Sequence, residues 1–210
     1  MAMEYKYDTR EGTHGVSFGA FAKITKTEEG AIDTTVKPTS MTGLRTCSFE
    51  TTQESNPFYA DNVEHLRLMG AKTTEGTITV YQFPKQFVID HLGKKEMTNT
   101  GLVDTGNGEN FLFQFIEDIE DEFGKKYRQL SIYYNVKASP PTGESTTDED
   151  AVELKEFEIP VTASPNSLVT DSEGNAVTCM VITENETNGA LIDLAYKQII
   201  LPTTAIPETA

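Results

Sequence analysis

Tryptophan is absent from this 210-residue sequence, cysteine occurs twice, and basic residues are about half as frequent as acidic ones, 17 against 33. Each shortage excludes something. Neither Cys47 nor Cys179 has the close-spaced partner that a zinc site needs, and a chain of this length does not require disulfide staples, so both are expected as reduced thiols rather than as a disulfide. The formal net charge of −16 argues against binding nucleic acid by phosphate neutralisation, which needs clustered Lys and Arg. Apolar runs are a few residues long, far short of the roughly 20 that a membrane span requires. Met1 to Gly12 carries charges of both signs without an apolar stretch, so no signal peptide is expected there and the sequon Asn185-Glu186-Thr187 is read as an accident of composition.

The usual chemical signatures are missing too. His14, His65 and His91 show no HExxH or other ligand spacing, and there is no G-x-S-x-G, P-loop or dinucleotide fingerprint. The acidic runs Glu117-Asp118-Ile119-Glu120-Asp121-Glu122 and Asp148-Glu149-Asp150 lack the glycine-turned loop of an EF-hand and read as solvated hairpin-tip or loop charge. The aromatic set Phe111, Phe113, Phe115, Tyr127, Tyr133 and Tyr134 reads as core, since a stacking platform for bases or sugars is at odds with the acidic surroundings and the lack of tryptophan. No enzyme, cofactor or metal is expected.

What is present is period-two patterning. The length suits one domain able to bury about 70% of its unfolded surface. Met1 to His14 is polar and aperiodic and reads as a loose arm. Strands are expected over Gly15 to Ile24, from Leu44 to about Glu50, around Val63 to Leu68, and over Gly76 to Phe83. The stretch Thr51 to Pro57 between two of them reads as a polar connection. Pro84 opens a short helix with Phe87, Val88, His91 and Leu92 at helical spacings before Gly93 ends it. Lys94 to Glu109 reads as loop, with a turn at Thr105 to Gly108. A long hairpin follows, with Phe111, Phe113 and Phe115 on one face and, beyond a turn at Phe123 to Lys126, Leu130, Ile132, Tyr134 and Val136 in alternation. Ser139 to Asp150 is loop, and the change of phase between Val152/Leu154 and Phe157/Ile159/Val161 suggests a bulge near Lys155-Glu156. A late strand over Val177, Cys179 and Val181 follows a turn at Asp171 to Asn175. The segment from Asn188 contains a possible short helix.

Six segments in this order carry a family likeness: Phe58 to Asn62, Gly76 to Val80, Phe87 to Gly93, Phe111 to Phe115, Ile132 to Pro140 and Ile159 to Pro165. Together they resemble the major tail proteins of long-tailed, siphovirus-type bacteriophages. The resemblance implies a mainly β fold, a β-sandwich of the tail tube type with one short flanking helix and extended arms. The chain is expected to divide into an N-terminal arm (1–14), a sandwich (15–202) and a C-terminal tail (203–210), and the tail shows no obvious immunoglobulin-like domain of the kind some members append, so a plain tube surface is expected.

It also implies a structural virion protein, assembled from host cytoplasm into the phage tail as rings, usually of six, that stack into the conduit for DNA ejection. Its partners would be further copies of itself and the tail initiator (distal tail), tape-measure and tail terminator proteins, with DNA passing unbound. Thr51, Thr52, Gln53, Glu54, Ser55, Asn56 and Pro57 are the expected inter-ring contact loop, because related proteins bridge rings with a loop between early strands. Glu117, Asp118, Glu120, Asp121 and Glu122 are candidates for a phosphate-repelling lumen wall, although plain solubility accounts for the acidic charge equally well. The alternative is a non-enzymatic β-sandwich module that binds carbohydrate or protein.

Overall fold

The computed structural model describes residues 10–98, 101–106, 108–142 and 154–207. Along the chain run β1 (Glu11–Lys23), β2 (Thr39–Ser40), β3 (Leu44–Ala60), β4 (Val63–Val80), α1 (Lys85–Asp90), β5 (Lys94–Met97), β6 (Gly101–Asp104), β7 (Phe111–Asp121), β8 (Lys126–Ala138), β9 (Phe157–Ala163), β10 (Asn166–Thr170), β11 (Ala176–Val177), β12 (Cys179–Thr183) and α2 (Gly189–Leu194). The main sheet is antiparallel throughout, ordered β2-β1-β7-β8-β9-β4-β3, with β12 beside β8.

One strand makes this sheet a sandwich. β12 pairs with Gln129 to Tyr133 of β8, whereas β9 pairs with Val136 to Ala138 on the same edge. The sheet therefore turns at the end of β8, and β9, β4 and β3 fold over the layer of β1, β7 and β8. Between the layers lie Phe21, Phe111, Phe113, Phe115 and Val136 from one side and Ile78, Val80, Ile159 and Val161 from the other, closed at one end by Phe87 of α1. Each such side chain contributes roughly 1.5–3 kcal/mol by leaving water.

The outer face of the β1–β7–β8 layer is covered as well. Leu112, Ile116, Leu130, Ile132 and Tyr134 pack under Ile192 and Ala195 of the α2 region and under Ile199 and Ile200. Polar pins hold this C-terminal strap: Gln114 Nε2 donates to the Ala195 carbonyl at 2.9 Å and the Tyr134 hydroxyl to that of Ile200 at 3.1 Å. Coverage on both faces explains why Phe111 to Ile116 is an unbroken buried run rather than an alternating one.

Pro84 and Gly93 bracket α1 as expected, Gly93 with φ of +67°. Turns form at Glu28 to Gly30 and at Asp171 to Asn175, where the Asp171 carboxylate accepts from the backbone of Glu173 and Asn175. α2 occupies the expected C-terminal helix position.

Several expectations need correction. β1 begins at Glu11, because Glu11 to His14 pair with Asp118 to Asp121 rather than forming part of a loose arm. The Lys94 to Glu109 loop contains the hairpin β5–β6, whose strands carry no apolar alternation because most of their residues face solvent. The β8 alternation is broken: Phe111 pairs with Val136 but Phe113 with Tyr133, so an extra β8 residue sends Leu130, Ile132 and Tyr134 outward and Tyr133 and Val136 inward. β9 starts at Phe157, so Leu154 to Glu156 precede the strand and no bulge interrupts it there. The late strand is split, β11 pairing with β10 and β12 with β8. Residues 1–9 of the arm, Asn107 of the expected Thr105 to Gly108 turn, 143–150 of the acidic loop, Val152 and 208–210 of the tail lie outside the described residues.

Candidate assembly surface

β3 and β4 are the longest strands, 17 and 18 residues, and only their root belongs to the sandwich. β4 pairs with β9 from Val80 to Thr74. Beyond Thr74 the two strands continue alone as a two-stranded arm, paired from Thr52↔Thr73 out to Ala60↔Val63. Asp61 and Asn62 make the tip, with φ of 51° and 62°. Positive φ at both central residues is the signature of a type I′ hairpin turn, which Asp and Asn tolerate better than most residues.

Thr51, Thr52, Gln53, Glu54, Ser55, Asn56 and Pro57, expected as a loop, are therefore strand. Their side chains serve the ladder: the Thr51 and Thr74 hydroxyls meet at 2.9 Å, and Gln53 Nε2 donates to the Gly70 carbonyl at 2.9 Å. All but the half-buried Ser55 are exposed, so no buried period marks the strand in the sequence. Farther out, Phe58 lies opposite Leu66 and Asn56 opposite Leu68, placing Phe58, Leu66 and Leu68 on one face. All three are about half exposed, and Tyr59, Val63 and Met69 are more so. This apolar stripe was missed because Val63 to Leu68 reads as an ordinary short strand with its own core face. The Asp61-Asn62 pair between two β-rich runs was the available signal.

At the root the layers meet closely. A Cβ on Gly76 would collide with the Ser48 carbonyl oxygen and the Phe49 ring. The ring of Phe49 thereby lies across Gly76 and stacks on Tyr133 with centroids 3.9 Å apart. Cys47 and Cys179 are half-buried around Tyr133, where burial pushes both thiols up, away from nucleophilic thiolate chemistry.

The acidic residues do not form one surface. Glu117 is half-buried, and burial raises its pKa. The Asp121 carboxylate accepts from the backbone N–H groups of Phe123 and Lys125 and from the Tyr127 hydroxyl at 2.6 Å, which holds it below the usual carboxylate range and pushes Tyr127 up to about 12. Glu120 contacts Lys126 at 3.3 Å and His14 at 3.6 Å. Strand alternation sets Asp118 and Glu120 on the face opposite Glu117, and Glu122 is exposed in the turn. His65 stands on the arm, and His91 is buried among Phe21, Phe87 and Phe111 with Nδ1 3.1 Å from the Glu109 carbonyl. No group of three or more metal-ligating side chains occurs among the described residues.

Compared with known proteins, residues 2–210 match the family model described as phage tail tube protein. No curated protein matches the sequence.

Proposed function

From the premise that the chain belongs to the phage tail tube protein family, a structural component of the phage tail, we propose that its copies close into rings of six and that these rings stack into the conduit for DNA ejection. The observation that carries this reading is the β3–β4 arm, which leaves the sandwich with the uncovered stripe Phe58, Leu66 and Leu68. An isolated two-stranded hairpin is marginally stable in water, so an arm of this length and apolar content is best explained by a surface on another copy. Within a ring, the outer edge of β3 and the part of β1 that precedes its short pairing with β2 supply backbone groups for strand-to-strand joining, which removes the aggregation liability of open edges.

In this reading the contact segment Thr51 to Pro57 acts as the stem of the arm rather than as a loop. Of the acidic set, Asp118 and Glu122 are the proposed lumen charge, because Glu117 is turned toward the interior, Asp121 is engaged in its turn and Glu120 is offset by Lys126. A wall of like charge lets DNA slide without adhering. Tail initiator, tape-measure and terminator proteins complete the assembly.

Negative-stain electron microscopy and size-exclusion chromatography of the concentrated protein test the proposal, beside a variant in which an Asn-Gly turn joins Gln53 to Lys72. These two residues face each other across the ladder. The full chain is expected to form hollow tubes, and the shortened chain to stay a folded monomer. Tubes of normal length from the shortened chain would overturn the role of the arm.

A further inference from the structure

A groove of about 640 Å³ lies at the root of β3, lined by Phe18, Lys37, Pro38, Thr39 and Tyr196. We propose that it is the receptor for the arm tip, Phe58 and Tyr59, of a second copy of this chain. The inference rests on the arm being an assembly element and adds the surface that receives it.

Three observations on Phe18 lead here. Phe18 sits at a break in the β1–β7 register, between Ser17 and Ala20, with φ of 51°. The left-handed region is costly for an aromatic residue, and the ring it presents is 70% exposed. It touches Tyr196 edge-on, with centroids 6.3 Å apart. A strained backbone that holds an aromatic ring in water brings the lone subunit no benefit, whereas that ring offers an incoming aromatic residue a face to pack against.

Charge agrees: Lys37 on the rim and Asp61 at the arm tip each lack an ion-pair partner among the described residues.

Position supplies the last step. The Leu44 side chain packs where a Cβ on Gly19 would stand, and Met41 N–H donates to the Gly19 carbonyl at 2.7 Å, so β3 starts beside the groove. Its 17 residues at about 3.3 Å each carry the tip roughly 50 Å away. Groove and tip therefore occupy opposite ends of the subunit. Such a contact is heterologous and does not close on itself along that direction, so it repeats from ring to ring.

The test is a photo-cross-link in the full chain with Tyr59 replaced by p-benzoylphenylalanine, irradiated at assembling concentration and mapped by mass spectrometry. Expected are intermolecular cross-links to peptides carrying Phe18, Lys37 to Ser40 or Tyr196. Alongside it, Phe18→Asn keeps a residue that tolerates positive φ, and it should retain the monomer's melting temperature while lowering polymer yield at least tenfold. Tubes whose cross-links map elsewhere, tip-to-tip included, or Phe18→Asn polymerising like the parent, would overturn the groove and leave the tube reading standing. Neither polymer nor cross-link at any concentration would overturn both.

Discussion

The β1–β7–β8 layer and the β3–β4 arm use the same antiparallel backbone ladder, but their side chains meet opposite fates. Phe111 to Ile116 are buried without a gap, while from Thr51 to Met69 every residue except Ser55 is exposed. The layer is stable because both of its faces exclude water. The arm has shape from its ladder and its type I′ turn but little burial to hold that shape, and so it depends on what it meets. In one chain the ladder decides geometry and the covering decides free energy.

The largest effect should come from removing a ring on each side of that contrast. Phe113→Ala is expected to cost about 3–5 kcal/mol of monomer stability in urea denaturation. Phe58→Ala should stay within about 0.5 kcal/mol yet reduce polymer yield. Equal monomer losses at the two positions would break the comparison, because the arm would then be a packed part of the subunit.

Next in size is Gly76→Ala, at the junction between sandwich and arm. The new methyl has to displace either the Ser48 carbonyl or the Phe49 ring, and overpacking of this kind costs about 1–3 kcal/mol. An unchanged urea midpoint would show that the root of the arm is looser than the sandwich it joins.

A smaller effect concerns pH. Burial holds His91 below the ordinary histidine pKa, so below about pH 6.5 the unfolded chain binds a proton that the folded one resists. The stability contributed by neutral His91 is full above that pH and declines as pH falls, by at most about 1.4 kcal/mol per pH unit. Glu117, raised by burial, acts with the opposite sign. Urea midpoints at pH 7 and pH 5 should diverge less in His91→Gln than in the parent, and an identical pH dependence would exclude His91 as its source.

The smallest effect belongs to the tip. Asn62→Gly relieves a non-glycine positive φ and completes an Asp-Gly turn, which should stabilise the arm by a few tenths of a kcal/mol. The expected readout is slower hydrogen exchange of arm amides alone, with β7 and β8 amides unchanged and far slower. Exchange in the parent arm as slow as in β7 would contradict the contrast drawn above.

By itself the sequence determined the mainly β class, the short helix between Pro84 and Gly93, the inward face of Phe111, Phe113 and Phe115, and the turns near Phe123 to Lys125 and at Asp171 to Asn175. In those places a local signal, a period of two against one buried face or a residue suited to a special φ, coincides with the tertiary environment. Tertiary structure alone decided the rest. Thr51 to Pro57 become strand because β4 lies beside them, and with both faces wet they carry no hydrophobic period to read. The extra β8 residue near Tyr134 moves Val136 into the other core, and any uniformly apolar strand could hide such a slip because both of its faces are dry. The groove at Phe18 draws on residues from three distant parts of the chain, and what brings them together is the packing of the C-terminal strap over the sheet, which no local pattern records.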